Sequence, residues 1–265
     1  MNFLEGSLTG MSKSLKKVQD LYDKRILSSQ DAIKAAGQWG SDEVTSRICK
    51  EILEKIKIKP SDQVLELGCG SGVLGDWIVK YCKNYVGLDL SFGMVKFFLN
   101  NTVNKKNIDL IQSTINETPL QNETFDVILV NSVTMYFEDE QMLKQTFDEI
   151  MRLVKKNGII FIGENIVPGG YPWELSWFQA LSSPLQFVAK PYIRIRKWLS
   201  KKNSRFVGKW KGFYYEVSPK FVFKYFKEYG QVIQSKAATY TIKEKISSQD
   251  YKGSRRMDFL IKLKN

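Results

Sequence analysis

Apolar side chains recur at helical spacing over residues 11–26 (Leu15, Val18, Leu21, Tyr22) and 41–57 (Val44, Ile48, Ile52, Ile56). Each stretch predicts an amphipathic helix, the second with Ser41 as its N-cap. Pro60-Ser61-Asp62 then breaks the chain, and the pattern beyond it changes. "VLEL" is a short apolar run ending in glycines; a helix follows at about 73–82, and "YVGLDL" predicts a strand. The alternation continues with a helix from Phe92 to about Val103, then the strands "IDLIQ" and "FDVILVN". A helix over 139–155, ending at Asn157-Gly158, leads into the strand "GIIFIGENIV". After an interruption over 165–212, "SPKFVFKYFKEYG" predicts a helix, and "QVIQSKAATYTI" and "RRMDFLIKL" predict strands.

Strands this apolar are covered on both faces, and their alternation with helices indicates parallel pairing. The expected fold is α/β: a doubly wound, seven-stranded, mostly parallel sheet with N-terminal helices and an insertion after the fifth strand. Four parts follow: a helical cap at 1–60, an α/β core at 61–165, the insertion at 166–212, and a completion of the sheet at 213–265.

The chain has 265 residues, enough for a large core without crosslinks. Cys49, Cys69 and Cys82 are odd in number and lack CxxC spacing, so they read as reduced thiols of a cytoplasmic protein. Histidine is absent, which argues against a zinc hydrolase or a Ser-His-Asp triad and leaves no metal expected. No apolar run approaches the roughly 18 residues of a membrane span. The N-terminus lacks the order of a secretory signal, and Met11 reads as an alternative start with 1–10 as an extension.

The net charge of +12 is uneven. Twelve Lys or Arg stand against the single acid Glu216 between Lys190 and Lys227, and the remainder is nearly neutral. Arg194, Arg196 and Lys197 lie among Tyr192, Ile193, Ile195, Trp198 and Leu199. Such a stretch, folded over the carboxyl end of the sheet, suits an acceptor phosphate. It also suits an anionic membrane surface and, less well, RNA.

"VLELGCGSG" places Gly68, Gly70 and Gly72 in the first strand-to-helix turn, where doubly wound sheets bind ligands. Two cofactors fit. Gly70, Gly72 and Gly75 spell GxGxxG, with Asp89 about twenty residues on, as for a dinucleotide. The other is S-adenosylmethionine. Glu66, two residues before the first glycine, would repel a pyrophosphate but suits the ammonium of a methionine tail.

Here the chain resembles the class I S-adenosylmethionine-dependent methyltransferases, from about Val64 to Val167. "VLELGCGSG" is similar to their first motif and "VGLDLSFGM" to their second. The resemblance implies Glu66 and the three glycines around the methionine part, Asp89 on the ribose hydroxyls, and Leu90 and Met94 against the adenine. "QSTINETPL" falls at the adenine loop, with Thr114 where the family carries an acid, followed by Ile115. "FDVILVNSVTMYF" is similar to the fourth strand and its exit, which places Asn131 near the methionine part. Tyr22 and Trp39 are expected to cap the pocket, Trp39 on the acceptor side.

Methyl transfer from a sulfonium needs alignment above all and a base only where the nucleophile is protonated. Tyr136, Glu138, Asp139 and Glu164 are the candidates; Glu138 and Asp139 are equally suited to capping the next helix. The signatures for DNA-base methylation are missing, since the fourth strand exits as "NSVT" and no Pro-Cys occurs. The expected function is methylation, at nitrogen or oxygen, of a small anionic or lipid-linked molecule. RNA or another polyanion, and a non-catalytic cofactor-binding subunit, are the alternatives.

Overall fold

The computed structural model describes residues 3–5, 11–27, 31, 41–103, 106–167, 205–208, 212–239, 241–242 and 256–264. In chain order the elements are β1 (Phe3–Glu5), α1 (Lys13–Leu27), α2 (Asp42–Ile56), β2 (Gln63–Leu67), α3 (Gly75–Ile78) and β3 (Asn84–Asp89). Then come α4 (Phe92–Asn101), β4 (Ile108–Gln112), β5 (Phe125–Asn131), a 3₁₀ turn (Thr134–Tyr136), α5 (Glu140–Leu153) and β6 (Val154–Ile166). The last are β7 (Arg205–Gly208), β8 (Gly212–Tyr215), α6 (Pro219–Phe226), β9 (Gly230–Lys236) and β10 (Arg256–Leu263).

Eight strands form one sheet in the order β1-β4-β3-β2-β5-β6-β10-β9. The first six in that order pair in parallel, while β10 runs antiparallel to both β6 and β9. The seven expected strands are all present. The eighth is β1, which pairs with β4 from within the stretch read as an extension. A two-stranded hairpin, β7–β8, lies at the end of the expected insertion.

Alternation along β2 divides the core. Val64 points to the layer of Ile48, Ile52, Tyr85 and Phe98, whereas Leu65 and Leu67 point to the layer of Phe147, Ile150 and Phe226. Glu66 therefore shares the Val64 side, beneath α2 and α4. Both faces are covered, as the apolar strands require.

The expected cap at Ser41 is present, and Ser91 caps α4 in the same way. Ser41 accepts a hydrogen bond from Val44 N at 3.5 Å, and Ser91 accepts one from Met94 N at 3.1 Å. Three boundaries moved. The helix expected at 73–82 keeps only Gly75–Ile78, because three-residue turns such as Tyr81 N to Ile78 O tighten the rest. The helix expected to end at Asn157-Gly158 stops at Leu153, since Val154 already pairs with Phe125 and Asn157 turns at φ 62 inside the strand. The strand expected over "QVIQSKAATYTI" ends at Lys236, where Thr241 N bonds back to Ala237 O in a helical turn. Among the described residues, no helix is long and apolar enough to cross a membrane.

Candidate functional site

The turn after β2 is built from left-handed residues: Gly68 has φ 81, Gly70 φ 54 and Gly72 φ 85, all in a region that L side chains avoid. A Cβ on Gly68 would lie 2.2 Å from Val133 Cγ2, and one on Gly72 would lie 2.1 Å from the Phe98 ring. A Cβ on Gly70 would meet nothing within 4 Å. Two glycines make room for the protein itself. Gly70 alone faces open space.

Gly70 opens onto a cleft of about 1100 Å³, counting its mouth, at the carboxyl ends of β2, β3 and β5. Asp89, the last residue of β3, accepts from Gly70 N at 2.8 Å and from Ser91 N at 2.9 Å. A carboxylate offers about four lone-pair positions, more than these backbone groups use, so it can still accept from the cleft. Burial pushes Asp89 up to about 6; the backbone N–H groups of Ser91, Gly70 and Leu90 pull it back, and the Asp23 charge adds to the rise. Glu66 is 3% exposed and accepts from the Tyr85 hydroxyl at 2.6 Å. Burial pushes Glu66 up to about 8; the Tyr85 hydrogen bond opposes this, and the Asp89 charge adds to it. Asn131, at the end of β5, carries a buried Oδ1 with no hydrogen-bond partner.

Tyr22, Glu66, Gly68, Gly70, Asp89 and Asn131 all line this cleft, as do Leu90, Met94, Thr114 and Ile115. Gly72 does not; it turns toward Phe98. Trp39, Arg194, Arg196 and Lys197 lie outside the described residues.

Helix α1 closes one side. Leu15, Val18 and Gln19 face the cleft beside Tyr22. Gln19 Nε2 donates to Leu90 O at 3.2 Å, and Asp23 accepts from Ser91 Oγ at 2.5 Å and Gly93 N at 3.0 Å. The helix is thereby bonded to the loop that follows Asp89. Its Tyr22 hydroxyl meets the Tyr136 hydroxyl at 2.5 Å, with the rings edge-to-face at 5.7 Å. Burial and the neighbouring Tyr136 hold the Tyr22 phenol well above its ordinary value.

Sequence reasoning missed Gln19 and Tyr85. The signal for Gln19 was an amide in the middle of the apolar stripe Leu15, Val18, Tyr22. Tyr85 gave no local signal; only the pairing of β2 with β3 sets it across from Val64.

The base candidates separate. Tyr136 lines the cleft. Glu138 accepts from the hydroxyls of Ser12 and Ser14 and so fastens the start of α1. Asp139 caps α5, accepting from Met142 N at 2.8 Å. Glu164 is fully buried outside the cleft, accepting from Thr239 N at 2.9 Å and lying 3.5 Å from Arg256.

The cleft thus offers one carboxylate with lone pairs for vicinal hydroxyls, a second carboxylate for a cation, and a bare backbone between them. That donor set fits a nucleoside with a cationic tail. Residues 65–162 match the methyltransferase domain family. Over that span the chain carries a methyltransferase domain, with the Rossmann-like fold that the solved methyltransferases below share.

The chain is 31% identical over 130 residues to phosphoethanolamine N-methyltransferase 1 of Zea mays, covering 47% of this chain and 25% of that protein. Its fold matches phosphoethanolamine N-methyltransferase 1 of Haemonchus contortus, solved with phosphoethanolamine and S-adenosylhomocysteine, at a TM-score of 0.66 and 11% identity. That match covers 96% of this chain and 50% of the other. The N-methyltransferase NodS of Bradyrhizobium japonicum, solved with S-adenosylhomocysteine, matches at a TM-score of 0.60 and 12% identity over 96% of this chain and all of that one. At these identities the structural likeness is one of fold. The chain spans a quarter of the length of the maize relative and half of the Haemonchus one.

Proposed function

We propose that the chain transfers the methyl group of S-adenosylmethionine to a small anionic acceptor, at nitrogen or oxygen, by in-line displacement. The observation that carries this reading is the empty space over Gly70 beside the free lone pairs of Asp89. The cofactor supplies an electrophilic methyl on a sulfonium that leaves as a neutral thioether. In this reading Asp89 holds the ribose hydroxyls, Glu66 faces the ammonium, and Asn131 stands beside the methionine part. Leu90, Met94, Thr114 and Ile115 enclose the adenine. The Tyr22–Tyr136 pair shields the reacting end from water and can turn a ring face to the sulfonium. With Glu138, Asp139 and Glu164 engaged elsewhere, Tyr136 is the one candidate base that lines the cleft.

Two facts support an anionic acceptor. The maize and Haemonchus proteins are named for phosphoethanolamine. The strongly basic stretch 190–227 also contains β8, which packs against the turn Thr134–Tyr136 at the cleft. Replacing Arg194, Arg196 and Lys197 by glutamine is expected to raise the acceptor's KM about tenfold while cofactor affinity stays unchanged. Steady-state kinetics and calorimetry read the two quantities. Untouched kinetics with lost sedimentation on anionic liposomes would assign the segment to a membrane instead.

The reading is tested by following S-adenosylhomocysteine formation with phosphoethanolamine, other phosphorylated amines, sugar nucleotides, lipid head groups and tRNA. Turnover with a small phosphorylated amine is the expected result. Turnover with tRNA alone favours a polyanion enzyme, and binding without any turnover favours a non-catalytic subunit.

Proton linkage gives a further check. With Glu66 raised to about 8, the ligand-free chain carries it protonated at neutral pH. A docking ammonium favours the ionised form, so binding releases a proton. Cofactor affinity should rise from about pH 6 to 8, by at most tenfold per unit, and level off above. Ligand-free stability runs the other way. The folded value exceeds the unfolded one, so the stabilisation present at low pH is lost as pH rises toward 8. Calorimetry in buffers of different ionisation enthalpy measures the released proton, and Glu66→Gln should abolish it. A dissociation constant independent of pH would remove Glu66 from the ammonium site.

A further inference from the structure

The pairing of β6 with β10 contains a bulge whose purpose lies outside the sheet. Met257 faces Asn165 and Phe259 faces Ile162, so Gly163 and Glu164 share the single partner Asp258. Glu164 sits at φ 60, a left-handed position held by a non-glycine residue. Side chains hold it there. Asp258 Oδ1 accepts from Glu164 N at 2.8 Å, and its Oδ2 accepts from Lys55 Nζ of α2 at 2.7 Å. The Glu164 carboxylate takes the Thr239 N–H and hydroxyl and faces Arg256.

The extra residue reverses the alternation of faces beyond it. Asn165 is completely buried, and both its Nδ2 and its Oδ1 are engaged. Its Nδ2 donates to Ile162 O at 2.6 Å and Met257 O at 2.9 Å, across the bulge. Its Oδ1 accepts from Thr134 Oγ1 at 2.9 Å. Thr134 opens the turn that ends at Tyr136, and Ser132 N bonds to Gly163 O at 3.1 Å just before it. The bulged strand thus grips this turn at two points, and the turn presents Tyr136 to Tyr22 across the cleft.

We propose that Asn165 is a positioning residue: through Thr134 it fixes the Tyr136 side of the cleft where the acceptor must meet the methyl group. The role in turnover rests on the methyltransferase reading above; the placement of Tyr136 does not. A bulge braced by Lys55, Asp258 and Glu164 gives that placement a rigid base, which explains why buried charges surround it.

The test places a fluorotyrosine at position 136 of the full chain and records fluorine NMR with and without Tyr22→Phe. In the parent protein the resonance should shift when the Tyr22 hydroxyl is removed. Thr134→Val keeps the shape but loses the hydroxyl; it should move the resonance and abolish its response to Tyr22→Phe. Thr134→Ser should restore both, and the affinity of the Thr134→Val and Thr134→Ser proteins, with Tyr22 in place, for S-adenosylhomocysteine should stay within about twofold of the parent. With phosphoethanolamine as acceptor, Thr134→Val should lower kcat about tenfold or more with little change in the cofactor's KM. An unmoved resonance in Thr134→Val, or a cofactor affinity lost in parallel with the shift, would overturn the proposal. Absence of turnover in the parent would instead remove the acceptor reading and leave the fluorine result standing.

Discussion

Gly70→Val yields a folded protein that no longer binds S-adenosylmethionine or S-adenosylhomocysteine. Its isopropyl group would stand in the space where a Cβ meets nothing within 4 Å, and that space is where the ligand backbone contact belongs. Displacing the ligand there should weaken binding beyond about 100-fold, about 3 kcal/mol. The variant also carries backbone strain, because φ is 54. A left-handed residue with a Cβ costs about 1–2 kcal/mol, so the ligand-free melting temperature should fall only by several degrees. Gly70→Asn separates the two effects, since asparagine tolerates this φ while still filling the cleft. Gly72→Ala is the opposite control: its Cβ would lie 2.1 Å from the Phe98 ring, so melting temperature should drop without a side chain facing the cleft. Calorimetry beside thermal melting decides. If Gly70→Asn binds the cofactor as tightly as the parent, the glycine is purely conformational and the site is misplaced.

Asp89→Ala should weaken cofactor binding by about 2 kcal/mol or more, roughly 30-fold. Two losses combine. The hydroxyl-binding lone pairs disappear, and the N–H groups of Gly70 and Ser91 lose their acceptor. The second loss loosens the turn that carries Gly70, so the cost exceeds that of one charge-assisted pair. Nicotinamide dinucleotides should bind neither the parent nor the variant, because a pyrophosphate gains nothing from Glu66, whose ionised form only a cation draws out. Titration of the parent with NAD and with S-adenosylmethionine is the check. Tight NAD binding with none for S-adenosylmethionine would discard the functional reading entirely.

Much of the fold was written locally. Apolar strands separated by amphipathic helices leave a doubly wound sheet as the arrangement that buries both strand faces. Ser41, Ser91 and Asp139 cap their helices because a side-chain oxygen next to free N–H groups acts within three residues. Helix ends were less legible where a strand competed: Val154 leaves α5 to pair with Phe125, a partner remote in the sequence. The three left-handed glycines and the aspartate after the second core strand were likewise local. Spacing alone brings Asp89 back to the turn once β2 and β3 pair in parallel.

Sequence by itself determined the alternation of elements, the glycine turn and the acidic pair Glu66 and Asp89. Each depends on neighbours in the chain or on the period of a strand. Tertiary structure decided what those residues face. Gly70 opens to the cleft while Gly68 and Gly72 press on Val133 and Phe98, contacts made by side chains from other elements. Helix α1 brings Gln19 and Tyr22 over the site through bonds to Leu90 and Tyr136. Glu164, in sequence as good a base as Tyr136, is turned away by a bulge and buried against Thr239 and Arg256. A one-residue insertion in a strand reverses which face a side chain takes, and no local pattern announces it.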